Sequence, residues 1–173
     1  MADCIANVSV PSAKAENTYY IASKLSRIFV EYYQQNEYIM TTDEVIDKLQ
    51  QLVVGLLYPS ETDAPIEVFV WRTAEKGACT DDNLAYEFHH PEDVLISESH
   101  AEEFFEGVTD IYEWHTPEEI EETKQFQSLR DTFLENVTKP RQLWFGERKV
   151  DVVVFGRTTD GDVVGLKTYI VET

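Results

Sequence analysis

Cysteine is nearly missing from this sequence: Cys4 and Cys79 are the only two in 173 residues. That excludes a disulfide-built scaffold and a multi-thiolate metal site, and it leaves reduced thiols as the expectation. No apolar run approaches the roughly 18 residues that would span a bilayer. The opening residues, Met1-Ala-Asp-Cys-Ile-Ala-Asn-Val8, also lack the basic and then apolar segments of a secretory leader. The expectation is a soluble, cytoplasmic chain without a membrane partner.

Basic residues are scarce as well. Fourteen Lys and Arg stand against 33 Asp and Glu, for a formal charge of −19. A phosphate backbone or an anionic lipid surface would be repelled by such a protein, so direct nucleic-acid binding is nearly excluded. The imbalance is sharpest from Gly77 to Thr123, where fifteen acids occur with no Lys or Arg. Such a run has two readings: a solvated face, or a surface shaped for a cationic groove that normally holds a polyanion. The second would speed association by long-range steering and would weaken with added salt.

Catalytic signatures are missing too. The seven glycines form no phosphate-cradling loop and no dinucleotide fingerprint, and there is no nucleophile elbow or paired-His zinc helix. His89, His90, His100 and His115 show no ligand spacing on a single element, which favours surface or capping roles. Among so many carboxylates no acid/base pair stands out, so an acid-rich hydrolase remains a reading without a motif. No cofactor is expected.

What is present suits one core, with 43% hydrophobic and 27% charged residues. Ile21, Leu25, Ile28, Phe29, Tyr32 and Tyr33 recur at helical spacing and predict an amphipathic helix from about Ala15 to Gln35. A capping box at Thr41 and Glu44 opens a second helix through Val45, Ile46, Leu49, Leu52, Val53 and Leu56, which Gly55 helps to finish. Tyr58 to Pro65 reads as a turn-rich loop. Ile66 to Trp71 reads as a strand, with Ile66, Val68 and Val70 on one face and Phe69 and Trp71 on the other.

Short helices are expected near Asp82–His89 and His100–Glu106. Thr116-Pro117-Glu118-Glu119 then opens a long helix to about Val137. Strands follow at Gln142–Phe145 and Lys149–Gly156. The unbroken Val152-Val-Val-Phe155 run marks the latter as central and covered on both faces. Thr158-Thr-Asp160-Gly161-Asp162 is a hairpin turn, and Val163 to Val171 returns as the last strand. The expected fold class is α+β: an α/β/α sandwich with a mainly antiparallel sheet flanked by helices.

Two segments also carry a resemblance. Gly55-Leu-Leu-Tyr-Pro-Ser-Glu-Thr-Asp-Ala-Pro-Ile-Glu-Val-Phe-Val-Trp71 and Val154-Phe-Gly-Arg-Thr-Thr-Asp-Gly-Asp-Val-Val-Gly-Leu-Lys-Thr-Tyr-Ile-Val-Glu-Thr173 are similar to the nuclease A inhibitor family. The similarity runs in order from about Asp43 to Thr173. It implies a non-catalytic inhibitor of sugar-non-specific ββα-metal endonucleases that plugs their active site. It divides the chain into an N-terminal extension, residues 1–40, packed on an inhibitor-like domain, residues 41–173.

Carried across, Thr173 would cap the nuclease-bound divalent cation, in trans. Glu61 would meet an active-site arginine, and Trp114 would pack at the contact. Tyr58 and Asp63, which flank Glu61, and Glu172, next to the last residue, are further partner-binding candidates. The chemistry is coherent, because a hard cation favours oxygen ligands and a terminal threonine offers a carboxylate and a hydroxyl. Read from the residues alone, the tail could equally fray, and Trp114 could be core or an aromatic anchor. The alternative function is a non-catalytic interaction or adaptor module of the same fold with no nuclease target.

Overall fold

The computed structural model describes residues 39–171. The helix expected at Ala15–Gln35 and the tail residues Glu172 and Thr173 lie outside them. The first described element is α1 (Thr42–Leu52), capped as its sequence predicts. The Thr41 amide donates to Glu44 Oε2 at 2.8 Å, and the Glu44 amide donates back to Thr41 Oγ1 at 3.4 Å. The helix ends earlier than expected. Gly55 adopts a left-handed φ of +80°, and Leu56 returns to the core at 3% exposure without being helical.

The segment expected as a loop contains a small hairpin. Strands β1 (Leu57–Tyr58) and β2 (Ala64–Pro65) pair antiparallel, placing residues 59–63 at the tip. Ser60 stiffens that tip: its hydroxyl donates to the Thr62 carbonyl at 2.6 Å and accepts from the Thr62 amide at 3.3 Å.

Strand β3 (Glu67–Trp71) follows, then the short helices α2 (Thr73–Lys76) and α3 (Asp81–Glu87) and strand β4 (Ile96–Ser99). A 3-10 helix (Ala101–Phe105) leads to the long α4 (Pro117–Asn136). Strands β5 (Thr138–Phe145), β6 (Lys149–Arg157) and β7 (Val163–Val171) complete the chain as described. The five-stranded sheet runs β3-β7-β6-β5-β4, with every neighbouring pair antiparallel.

Alternation along β6 divides the core. Val152 and Val154 join Val45 and Leu49 of α1, Phe104 and Phe105 of the 3-10 helix, and Phe126, Leu129 and Phe133 of α4. Val153 and Phe155 point the other way, to Leu84 and Ala85 of α3, Trp71 and Phe145. Each fully buried Phe or Leu contributes about 1.5–3 kcal/mol of transfer free energy, so both layers are needed to hold the sheet. The fold is mixed α+β with helices on both faces of an antiparallel sheet.

Two strands of the main sheet also differ from expectation. β5 begins at Thr138, four residues ahead of the expected Gln142, and its register against β6 shifts between Thr138 and Arg141. Pro140, which has no amide proton, sits inside that irregularity. β4 pairs Ile96 with Phe145 and Ser99 with Gln142, and its Ile-Ser-Glu-Ser composition gave no strand signal.

The β6–β7 turn doubles as a clamp. The Thr42 amide donates to Asp160 Oδ2 at 2.7 Å, while Asp162 accepts from Arg72 Nη1 and from the Thr73 amide, both at 2.9 Å. These acids therefore belong to the fold rather than to a docking surface. Hydrogen bonds to a charged group contribute about 1.5–3 kcal/mol. Asp162→Ala is expected to lower unfolding free energy by about 2–3 kcal/mol in urea titration. A change below half a kilocalorie would remove the clamp from the account.

Candidate functional site

The sequence-expected residues are scattered along the chain, and the hairpin tip gathers several of them. Tyr58, Pro59, Ser60 and Glu61 line an open cleft of about 490 Å³ together with Trp144, Ile170 and Val171. Val171 ends β7, paired with Lys149 of β6, and is the residue to which Glu172 and Thr173 are joined. Glu61 and the root of the tail thus border one cavity.

Tyr58 anchors the hairpin. Its ring lies 5.0 Å from that of Phe104 in the 3-10 helix. Burial, followed by the nearby Glu106 carboxylate, pushes the phenol above its ordinary value, so it stays neutral and serves as a packed wall. Trp144 also lines the cleft, its Nε1 donating to Ser99 Oγ at 3.2 Å.

Asp63 lines a different groove, of about 430 Å³. Leu57, Val108, His115, Glu119, Glu122 and Phe126 share it, and Pro59 lines both cavities. Pro59 thus stands between the two hollows.

Glu119 helps to set the edge of this groove through the α4 cap. The Thr116 amide donates to Glu119 Oε2 at 2.7 Å, and the Glu119 amide donates to Thr116 Oγ1 at 3.3 Å. Hydrogen bonds to the carboxylate from the Thr116 amide and then the Thr116 side chain, with His115 as a further influence, hold the Glu119 carboxyl below the usual range.

Trp114 is 76% exposed, which places it on the surface rather than in the core. Its ring stacks on Tyr112 at 4.6 Å and 6°, and the His115 amide closes a turn onto the Tyr112 carbonyl at 3.1 Å. The turn is held from behind by Gln127, whose Nε2 donates to the Thr109 carbonyl at 2.8 Å.

The fifteen-acid run does not make one face. Glu118, Glu119, Glu121 and Glu122 border hollows beside α4, whereas Asp82, Glu87 and Glu92 border hollows around α3, across the sheet. Asp81 and Glu98 are paired with Arg141 at 2.9 and 2.8 Å, and Glu87 with Lys76 at 2.7 Å. The sign of the charge was legible in the sequence, but its division between two faces follows from the fold.

Trp144, Ile170 and Val108 were not singled out from sequence as site residues, because each reads as an ordinary strand or loop apolar position. Cys79 is no nucleophile candidate, since burial pushes its thiol up to about 11. Among the described residues, no group of three or more His, Cys, Asp or Glu is placed to hold a metal ion. No described helix is long and apolar enough to cross a membrane.

These features define an α+β domain whose open hollows are built by a hairpin tip and the end of the last strand. The family model for nuclease A inhibitor-like proteins matches residues 43–173, and the chain belongs to that family. Membership points to a nuclease-inhibitor role and to a nuclease as partner. In the comparison with curated proteins, no match to this chain emerged.

Proposed function

We propose that this protein is a stoichiometric, non-catalytic inhibitor of a sugar-non-specific DNA/RNA endonuclease of the ββα-metal class. Its docking surface is the hairpin tip and the cleft beside it. Thr173 supplies carboxylate and hydroxyl oxygens to the divalent cation bound by the nuclease, taking the place of a scissile phosphate. Glu61 meets an arginine of the enzyme through a charge-assisted hydrogen bond, and the exposed Trp114 supplies an aromatic anchor. The net charge of −19 favours approach to a groove that evolved to hold polyanions.

One observation carries this reading beyond family membership: Glu61 and Val171 line the same cleft. A tail leaving Val171 and a carboxylate on the hairpin tip can then engage neighbouring groups of one active site. Because the root of the tail is held by β-pairing, less conformational freedom is lost when it enters a pocket.

The test is titration of a ββα-metal nuclease acting on plasmid DNA, with magnesium, at two salt concentrations. A sharp equimolar end point is expected, with slower association at the higher salt. Glu61→Gln should weaken inhibition about tenfold, the equivalent of roughly 1.4 kcal/mol, with thermal melting unchanged. Absence of inhibition across a panel of such nucleases would sink the proposal.

A further inference from the structure

The groove beside α4 carries features that tail and Glu61 contacts leave unused. It is lined by the apolar Leu57, Val108 and Phe126 together with Asp63, Glu119 and Glu122, and among the described residues no Lys or Arg lines it. Asp63 and Glu122 have no ion-pair or hydrogen-bond partner among the described residues. His115, in the same wall, has its Nδ1 buried and unpartnered among those residues.

Exposed apolar side chains also concentrate here. Trp114, Tyr112 and Ile111 are exposed on the turn that delivers His115, and Leu57 is exposed on the hairpin. Val54 is exposed at a neighbouring hollow that shares Glu122 with the groove. Apolar exposure gathered around a concave, charged site marks an interaction surface, whereas scattered single residues do not.

We propose that this groove is a second lobe of the docking surface and receives an arginine side chain of the partner nuclease. The inference rests on the inhibitor reading and deepens it by naming what the partner must present. An arginine fits both halves of the hollow. Its methylene stem lies along apolar walls, and its planar, weakly hydrated guanidinium can fork onto carboxylates at the rim. A lysine ammonium is more strongly hydrated and would lose more on entering a groove lined in part by Leu57, Val108 and Phe126. The exposed Trp114–Tyr112 stack meets His115 of the groove lining edge-on and adds a π face. Since Pro59 borders both hollows, one continuous partner surface can engage the groove and the Glu61 cleft together.

The test is the double variant Asp63→Asn, Glu122→Gln, with Glu119 kept because it caps α4. Inhibition should weaken about tenfold to a hundredfold relative to the unaltered protein, with unchanged melting temperature. If the unaltered protein inhibits and the double variant matches it, the groove proposal falls and the inhibitor reading stands. If the unaltered protein inhibits no ββα-metal nuclease, both fall. A crystal structure of the complex gives an independent check that needs no variant. A nuclease guanidinium within hydrogen-bond distance of Asp63 or Glu122 supports the assignment, and a lysine there, or no basic side chain, overturns it.

Discussion

Appending one glycine after Thr173 is expected to weaken inhibition of a ββα-metal nuclease by about two to three orders of magnitude, with no change in melting temperature. The added residue moves the terminal carboxylate one Cα step, about 3.8 Å, away from the threonine hydroxyl. The two oxygen groups then no longer reach one cation from one residue. Removing one partner of a buried, charged contact costs about 2–5 kcal/mol, which corresponds to about 30-fold to several-thousand-fold in affinity. Isothermal titration against the nuclease, with and without magnesium, separates this from a loss of shape complementarity. In magnesium the extended protein should bind far more weakly than the unaltered one, and after chelation the two should converge. Equal affinity of both forms in magnesium would remove the tail from the mechanism and leave the hairpin as the docking element.

Local chemistry made much of the fold legible in the sequence. Thr41 with Glu44 and Thr116 with Glu119 are capping boxes whose reciprocal bonds depend only on residues three apart, and both formed. Val152 to Phe155 could be read as central because an apolar run without alternation has no solvent face, and its members do divide between the two core layers. Asp160-Gly161 turned where Gly161 could adopt a φ of +89°. Elements that depend on distant partners were harder to see. Ile96–Ser99 is a strand because β5 offers its edge, and Leu57–Tyr58 pairs with Ala64–Pro65 over too few residues to show a period.

The site was legible in part, for the same reason. Glu61 and Tyr58 could be named from the resemblance, but the cleft they share draws on residues 144, 170 and 171, which only the sheet brings near. Trp114 was ambiguous because an aromatic beside a helix cap suits either core or surface. The turn from Tyr112 to His115 decided it by holding the indole outside. The acidic run misleads in a related way, since sequence order says nothing about which side of a sheet a helix covers. Our proposal assigns docking to the acids near the hairpin and α4.

Gly165→Val is expected to cost the domain about 3 kcal/mol or more and to lower its melting temperature by about 10 °C. Gly165 lies within β7, paired with Phe69 of β3 on one side and Phe155 of β6 on the other. A Cβ placed on it would sit 2.4 Å from Phe69 Cε1 and 2.6 Å from the Val154 carbonyl oxygen. The Phe69 ring meets Phe88 edge-on at 5.1 Å, and the carbonyl is backbone, so neither contact relaxes without moving packed structure. Since whole-domain stability is usually about 5–15 kcal/mol, that loss is a large share of it. Gly165→Ala combined with Phe69→Leu should recover part of the stability lost by Gly165→Ala alone, because the carbonyl contact remains. β7 also carries the root of the tail, so Gly165→Val should reduce inhibition together with melting temperature, whereas the added terminal glycine should reduce inhibition alone. Melting of Gly165→Val within 2 °C of the unaltered protein would show that β7 and β3 accommodate the side chain by a shift these contacts do not allow.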